Sequence, residues 1–232
     1  MIKFTNVTKM YRKGRVHALN NVSLFIGKGE FVYVIGPTGA GKSTFIKLLY
    51  REEKATSGTV EVNNIKVNKI SNRKVPFYRR HIGVIFQDFK LLPKKTVYEN
   101  IAFTLEVIGK HPSLIRKQVL NVLQLVGLED KAKAFPHELS GGQQQRVAIA
   151  RAIINDPAVV IADEPTGNLD PESSKEIMNL LEEISRRGTT IVMVTHDRQM
   201  VNTYKHRTIT IESGYISHDT MGGGYNDNLQ TW

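Results

Sequence analysis

The stretches "VSLFI" (22–26) and "FVYVIG" (31–36) are short, rich in β-formers and separated by Gly and Lys, the punctuation of strands joined by turns. "GTVEVNNIKV" (58–67) reads as a further strand. Downstream the period changes. In "TVYENIAFTLEVIG" and "SLIRKQVLNVLQLVGL" apolar residues recur every three or four positions, which predicts helices, and a helical insert is expected over about 88–150. "AVVIADE" (158–164) and "TTIVMVTH" (189–196) hold apolar residues without alternation, as strands buried on both faces do. Between them Asp170, Pro171 and Glu172 supply an N-cap, a first-turn proline and a first-turn acid, predicting a helix from there to Gly188. Strand, helix, strand order implies an α/β fold around a parallel sheet with right-handed crossovers. One domain over about 1–220 is expected, then a flexible tail, "MGGGYNDNLQTW" (221–232).

Composition narrows the chemistry more than the fold. The 232 residues include no Cys, which excludes disulfides and thiolate catalysis and fits a reducing compartment. No apolar run approaches the roughly 18 residues of a membrane span, and the start "MIKFTNVTKMYRKG" lacks the apolar core of a signal peptide, so a cytoplasmic chain is expected. Lys and Arg number 32 against 22 Asp and Glu, a formal charge of +10. That excess suits a polyanion (nucleotide, nucleic acid or an anionic membrane surface) or simply a solvated basic face.

The chemistry starts at "GPTGAGKST" (36–44), which matches G-x-x-x-x-G-K-[ST] between an apolar strand and a helix. Through Gly36, Pro37, Thr38, Gly39, Ala40 and Gly41 the backbone can turn its N–H groups around phosphate oxygens. Lys42 reaches the β- and γ-phosphates, Ser43 offers a hydroxyl to Mg²⁺, and Thr44 completes the loop. Asp163 and Glu164 close an apolar strand, where Asp163 would hold Mg²⁺ and Glu164 would orient and polarise the attacking water. His196 ends the next strand, so a parallel sheet brings it to the ligand-binding edge as a γ-phosphate contact. Gln87, after "IGVIF", could reach Mg²⁺ or water without a third negative charge. Tyr11 fits a base-stacking aromatic as well as a core tyrosine.

"LSGGQQQRVAIARAI" (139–153) contains no nucleophile or metal cluster, yet Ser140, Gly141 and Gly142 open a helix whose N–H groups and dipole make an anion site. The chain already has a phosphate loop for its own nucleotide. A second site therefore fits the nucleotide of another copy, two chains sandwiching two nucleotides head to tail.

These motifs, in this order, resemble the ATP-binding cassette (ABC) ATPases over the chain to about Asp219. The resemblance implies a P-loop nucleotide-binding domain with a parallel-sheet core, an antiparallel β subdomain and an inserted α-helical subdomain. It implies an active Mg²⁺-dependent ATPase that dimerises on ATP, with Tyr11 stacking on adenine and Asp170, in "NLD" (168–170), reading the opposing site. Within the family, "LYREEKATSG" (49–58), "FQDFKLLPKKTVYENI" (86–101) and "THDRQMVNTYKHR" (195–207) look like the bacterial cell-division ATPases. That likeness implies an integral membrane partner, control of cell-wall hydrolases outside, and a place at the cytoplasmic face of the inner membrane. The neighbouring alternative is an ATPase of lipoprotein extraction or macrolide export, which shares "ADEPTGNLD". Cassette ATPases acting on nucleic acid usually carry two cassettes or a long coiled-coil insert, and 232 residues hold neither. Phe89, Leu91 and Leu92, in a loop with Pro93 and lysines, are expected to border a groove for a cytoplasmic helix of the membrane partner.

Overall fold

The computed structural model describes residues 1–11 and 16–222. All but the first two residues of the expected tail lie outside them.

Five strands form a parallel core: β3 (Phe31–Ile35), β6 (Ile82–Ile85), β7 (Val159–Asp163), β8 (Thr190–Val194) and β9 (Arg207–Glu212). With β10 (Tyr215–Thr220) antiparallel on one edge, the sheet order is β10-β9-β3-β8-β7-β6. The unbroken apolar runs have a simple reason. Tyr33, Val160, Ala162, Ile191 and Met193 face one core, and their neighbours Val32, Val34, Ile161, Val192 and Val194 face the other.

The first core is covered by helices α3 (Val97–Val107), α4 (Pro112–Val126), α5 (Gly141–Ile153) and α6 (Pro171–Arg186). The second lies under α1 (Lys42–Leu49) and a separate antiparallel sheet. That sheet holds β1 (Ile2–Tyr11), β2 (Val16–Ile26), β4 (Ser57–Val62) and β5 (Ile65–Lys66), in the order β2-β1-β4-β5.

Two expectations are corrected. Residues 58–67 are a hairpin, not one strand, because Asn63 and Asn64 adopt φ of +50° and +63°, the paired positive values of a tight turn. Residues 88–95 form a loop, and the helices of the expected insert begin only at Val97, behind a Thr96–Glu99 capping box. Among the described residues no helix is long and apolar enough to cross a membrane.

Candidate active site

The phosphate loop is shaped by two glycines that nothing larger could replace. Gly36 has φ +142°, and a Cβ there would fall 2.0 Å from the Ile211 carbonyl oxygen; at Gly41, φ +112°, it would fall 2.2 Å from that of Ala18. Lys42 Nζ donates to the carbonyls of Gly36 and Pro37 at 2.7 and 3.0 Å. Burial lowers the Lys42 pKa, opposed by the charges of Glu164 and Asp163, so all three belong to one electrostatic site. Ser43 is exposed at the start of α1 and Thr44 is buried. Thr38 and Gly39 are exposed, and Ala40 is buried, its carbonyl held by the Gly214 N–H at 3.0 Å.

The acids stand at the ends of the central strands. Burial first, and Glu164 second, push the Asp163 pKa above its ordinary value, with Lys42 opposing. Glu164 sits at φ +48°, a strained value for a side chain with a Cβ, and is fixed there by its N–H to the Val194 carbonyl at 2.9 Å. That turn aims the carboxylate at His196, whose Nδ1 lies 3.0 Å from Glu164 Oε1. His196 is 68% exposed and Glu164 24%, so a half-buried acid meets an open imidazole. Gln87 approaches from the other side: its amide reaches Asn168 Oδ1 at 3.4 Å, and Asn168 Nδ2 reaches the Gln87 carbonyl at 3.3 Å. Ser43, Asp163 and Gln87 together offer hydroxyl, carboxylate and amide oxygens. This set suits a hard cation such as Mg²⁺ that keeps its other positions for phosphate and water.

Tyr11 ends β1 with its hydroxyl 3.4 Å from Thr44 Oγ1 and the Lys9 ammonium 4.7 Å from its ring centre. It therefore borders the phosphate-loop helix, half-buried, just before residues that are not described.

The three glutamines of the signature each hold backbone. Gln143 and Ser140 close a capping box, Gln144 donates to the Leu139 carbonyl at 3.2 Å, and buried Gln145 donates to the Pro165 carbonyl at 2.7 Å. Of the three amides expected to face an anion, that of Ser140 is thus occupied, which leaves those of Gly141 and Gly142. Gly142 lies against the start of α6, where a Cβ would meet Ser173 Oγ at 2.7 Å. Asp170 caps that helix through the Ser173 N–H at 2.9 Å, and these bonds hold its carboxyl low. Among the described residues no hydrogen bond or ion pair joins 140–142 to 36–44.

Residues 19–167 match the ABC transporter family. The chain belongs to that family. Relatives run nearly full length. It is 60% identical to the cell division ATP-binding protein FtsE of Bacillus subtilis over 97% of this chain and 98% of that one. To the protein of the same name in Escherichia coli it is 46% identical, over 96% and 99%. Among solved structures it is similar to a dimeric ATP-binding cassette in a post-hydrolysis state bound to ADP and Pi, with TM-score 0.86 and 39% identity, over 97% of this chain and 100% of that one. The fold is accordingly that of an ABC nucleotide-binding domain, with its parallel core, antiparallel sheet and helices.

Two participants escaped the sequence reading. Gln145 couples α5 to the turn after Glu164; its signal was a glutamine on the apolar face of a helix. Arg151 donates to the carbonyls of Phe89 and Lys90 at 2.9 and 2.6 Å, fixing a loop in which both residues have positive φ. Leu91 packs on the helical core, and Leu92 donates its N–H to Asn100. The groove beside this loop, about 550 Å³, is lined instead by Tyr50, Phe86, Lys90, Thr104 and Arg151.

Proposed function

We propose that this chain is the ATP-hydrolysing subunit of a membrane-associated cell-division complex. The observation that carries the hydrolytic part is the Glu164–His196 pair, 3.0 Å apart at the strand ends beside Lys42. Lys42 and the amides of the loop bind the phosphates, while Glu164 accepts a proton from a water whose oxygen attacks the γ-phosphorus, breaking the bond to the bridging oxygen so that ADP leaves. His196 keeps that carboxylate in place and stands at the γ-phosphate. Ser43, Asp163 and Gln87 would hold Mg²⁺, which when bound would supply positive charge against that building on the phosphates. Tyr11 stacks on the adenine.

Two copies meet head to tail, the amides of Gly141 and Gly142 and the Ser140 hydroxyl facing the nucleotide on the partner's phosphate loop, and Asp170 reading the opposing site. A similar solved structure is dimeric, which supports the pairing of two copies. The cell-division role rests on relatives of that name at 46–60% identity, and these disfavour a lipoprotein-extraction or macrolide-export system. The complex would comprise an FtsX-like integral membrane protein whose short cytoplasmic helix enters the groove beside Phe86 and Thr104. Through it ATP cycling would control cell-wall hydrolases. The chain itself would lie peripherally at the cytoplasmic face of the inner membrane.

Glu164→Gln tests the core of this reading. It should keep ATP and Mg²⁺ binding, lose hydrolysis by at least about a hundredfold, and accumulate as an ATP-loaded dimer in gel filtration. A variant that hydrolyses ATP at the normal rate and stays monomeric overturns it.

A further inference from the structure

Between Glu61 and Asp88 the chain carries Lys66, Lys69, Arg73, Lys74, Arg79 and Arg80 and no acid. None of them has a task at the nucleotide. The fold gathers this run around one corner. Arg51, only 7% exposed, donates to the carbonyls of Val67 and Ile70 at 3.1 and 3.4 Å. Arg79, at the other end of the run, donates to the carbonyls of Tyr50 and Arg51 at 3.0 and 3.2 Å.

Lys66, Lys69, Arg73 and Lys74 are left exposed, and among the described residues the only carboxylate within ion-pair reach of the six cations is Glu61, 3.9 Å from Lys66. Glu52, which lines a groove together with Arg79 and Arg80, is bound to Lys47 at 3.1 Å and also lies within the electrostatic reach of Arg79. In the short helix α2 (Val75–Arg79), Phe77 is 58% exposed, and the Arg80 guanidinium lies 4.6 Å from its ring centre. Ile65 is 39% exposed on the same run. An exposed aromatic ring beside a guanidinium, on a run whose Lys69, Arg73 and Lys74 have no ion pair among the described residues, is the chemistry of a surface that enters the headgroup layer of an anionic bilayer. Arg79 and Arg80 also line the 550 Å³ groove proposed above for the membrane partner, so the end of the run adjoins that docking site.

We propose that residues 65–81 form a lipid-contacting surface that rests on anionic phospholipid headgroups, with Phe77 entering the interface. It gives the cassette a bilayer contact of its own beside any contact through a partner. Binding should be electrostatic and salt-sensitive, each cation near the surface multiplying it about fivefold.

The test is co-sedimentation of the purified full chain with phosphatidylcholine vesicles, with and without phosphatidylglycerol, in the absence of nucleotide. The chain should bind only vesicles that contain phosphatidylglycerol, and less as salt rises. R73E combined with K74E should weaken binding by at least about 25-fold, two such factors. F77S should weaken it while the salt dependence stays. All variants should bind ATP as the parent does, which reports that they are folded. Equal sedimentation with pure phosphatidylcholine, no sedimentation at all, or unchanged binding by the folded double variant overturns the proposal. So does the reverse pattern, in which the parent ignores vesicles but binds duplex DNA or RNA through Arg73 and Lys74. Since no ATP is present, none of these failures touches the hydrolytic reading.

Discussion

Asp163 shows how a functional residue opposes stability. Its pKa is raised in the folded protein, chiefly by burial, so protonation favours the fold. The contribution is fully present below the ordinary carboxylate pKa of about 3.9 and is lost as pH rises through the raised value. Asp163→Asn removes the buried charge and keeps the shape. It should melt higher than the parent at about pH 7.5, the difference shrinking on acidification, while Mg²⁺-dependent nucleotide binding weakens. Melting curves without nucleotide across pH check this, and a variant that melts lower at neutral pH contradicts it. Gly36 and Gly39 make a second contrast. Both have positive φ, but a Cβ at Gly39 meets open space whereas at Gly36 it strikes a carbonyl. Gly39→Ala should cost about 1–3 kcal/mol from backbone strain alone. Gly36→Ala should cost more, because β9 must also move. Denaturant titration of both variants decides.

Elements here are joined through side chains that bind backbone. Gln145, on the buried face of α5, holds the Pro165 carbonyl one residue past Glu164. Gln145→Leu fills the space but leaves that carbonyl unpaired, at about 1–3 kcal/mol. Since the loss falls on the turn that carries the proposed base, kcat should drop more than ATP affinity; equal effects on both would place the role elsewhere. At α3 the side chains of the capping box, Thr96 and Glu99, bond only to each other and to their own backbone among the described residues. Thr96→Ala should cost about 1 kcal/mol with kcat unchanged, which separates a loss of stability from a loss of catalysis. Capping was also what the sequence displayed most openly. Asp170 was identified as an N-cap from its neighbours, and it caps. The β1 strand is hidden in the sequence, because "IKFTNVTKMY" mixes polar and apolar residues, and only its Ile2, Phe4 and Val7 are buried.

For the whole molecule, the proposed head-to-tail arrangement makes a complementation test available. Lys42→Ala spoils a phosphate loop, and Ser140→Arg fills the anion site with a bulky cation. Each alone should hydrolyse little ATP, while an equal mixture should regain roughly a quarter of the parent rate, since half the dimers are mixed and each carries one intact pair. A mixture as inactive as its components would place the signature in the same chain's site. The groove is tested by Thr104→Trp, whose indole would plug it; the variant should bind ATP normally yet fail to co-purify with the membrane partner. Leu91, packed on the helical core, is the poorer choice, since its loss would confuse docking with stability.

The legible part of this protein was written in neighbouring residues. The glycines and lysine of 36–44, the acids closing an apolar run and the cap at Asp170 depend on contacts within a few positions, where backbone sterics and local hydrogen bonds decide the outcome. Unbroken apolar runs likewise announce strands covered on both faces. Which strands adjoin was not written there: β3 lies between β9 and β8, far away in the chain, because burial rewards any pairing that closes both cores. The tertiary structure also brought Gln87 to Asn168 and Arg151 to Phe89, and it turned Glu164 to His196 through a strained φ that only surrounding packing can hold. It gathered the basic run around Arg51 as well. Each of these joins residues whose attraction is short-ranged and whose separation along the chain is long, so only folding brings them within reach.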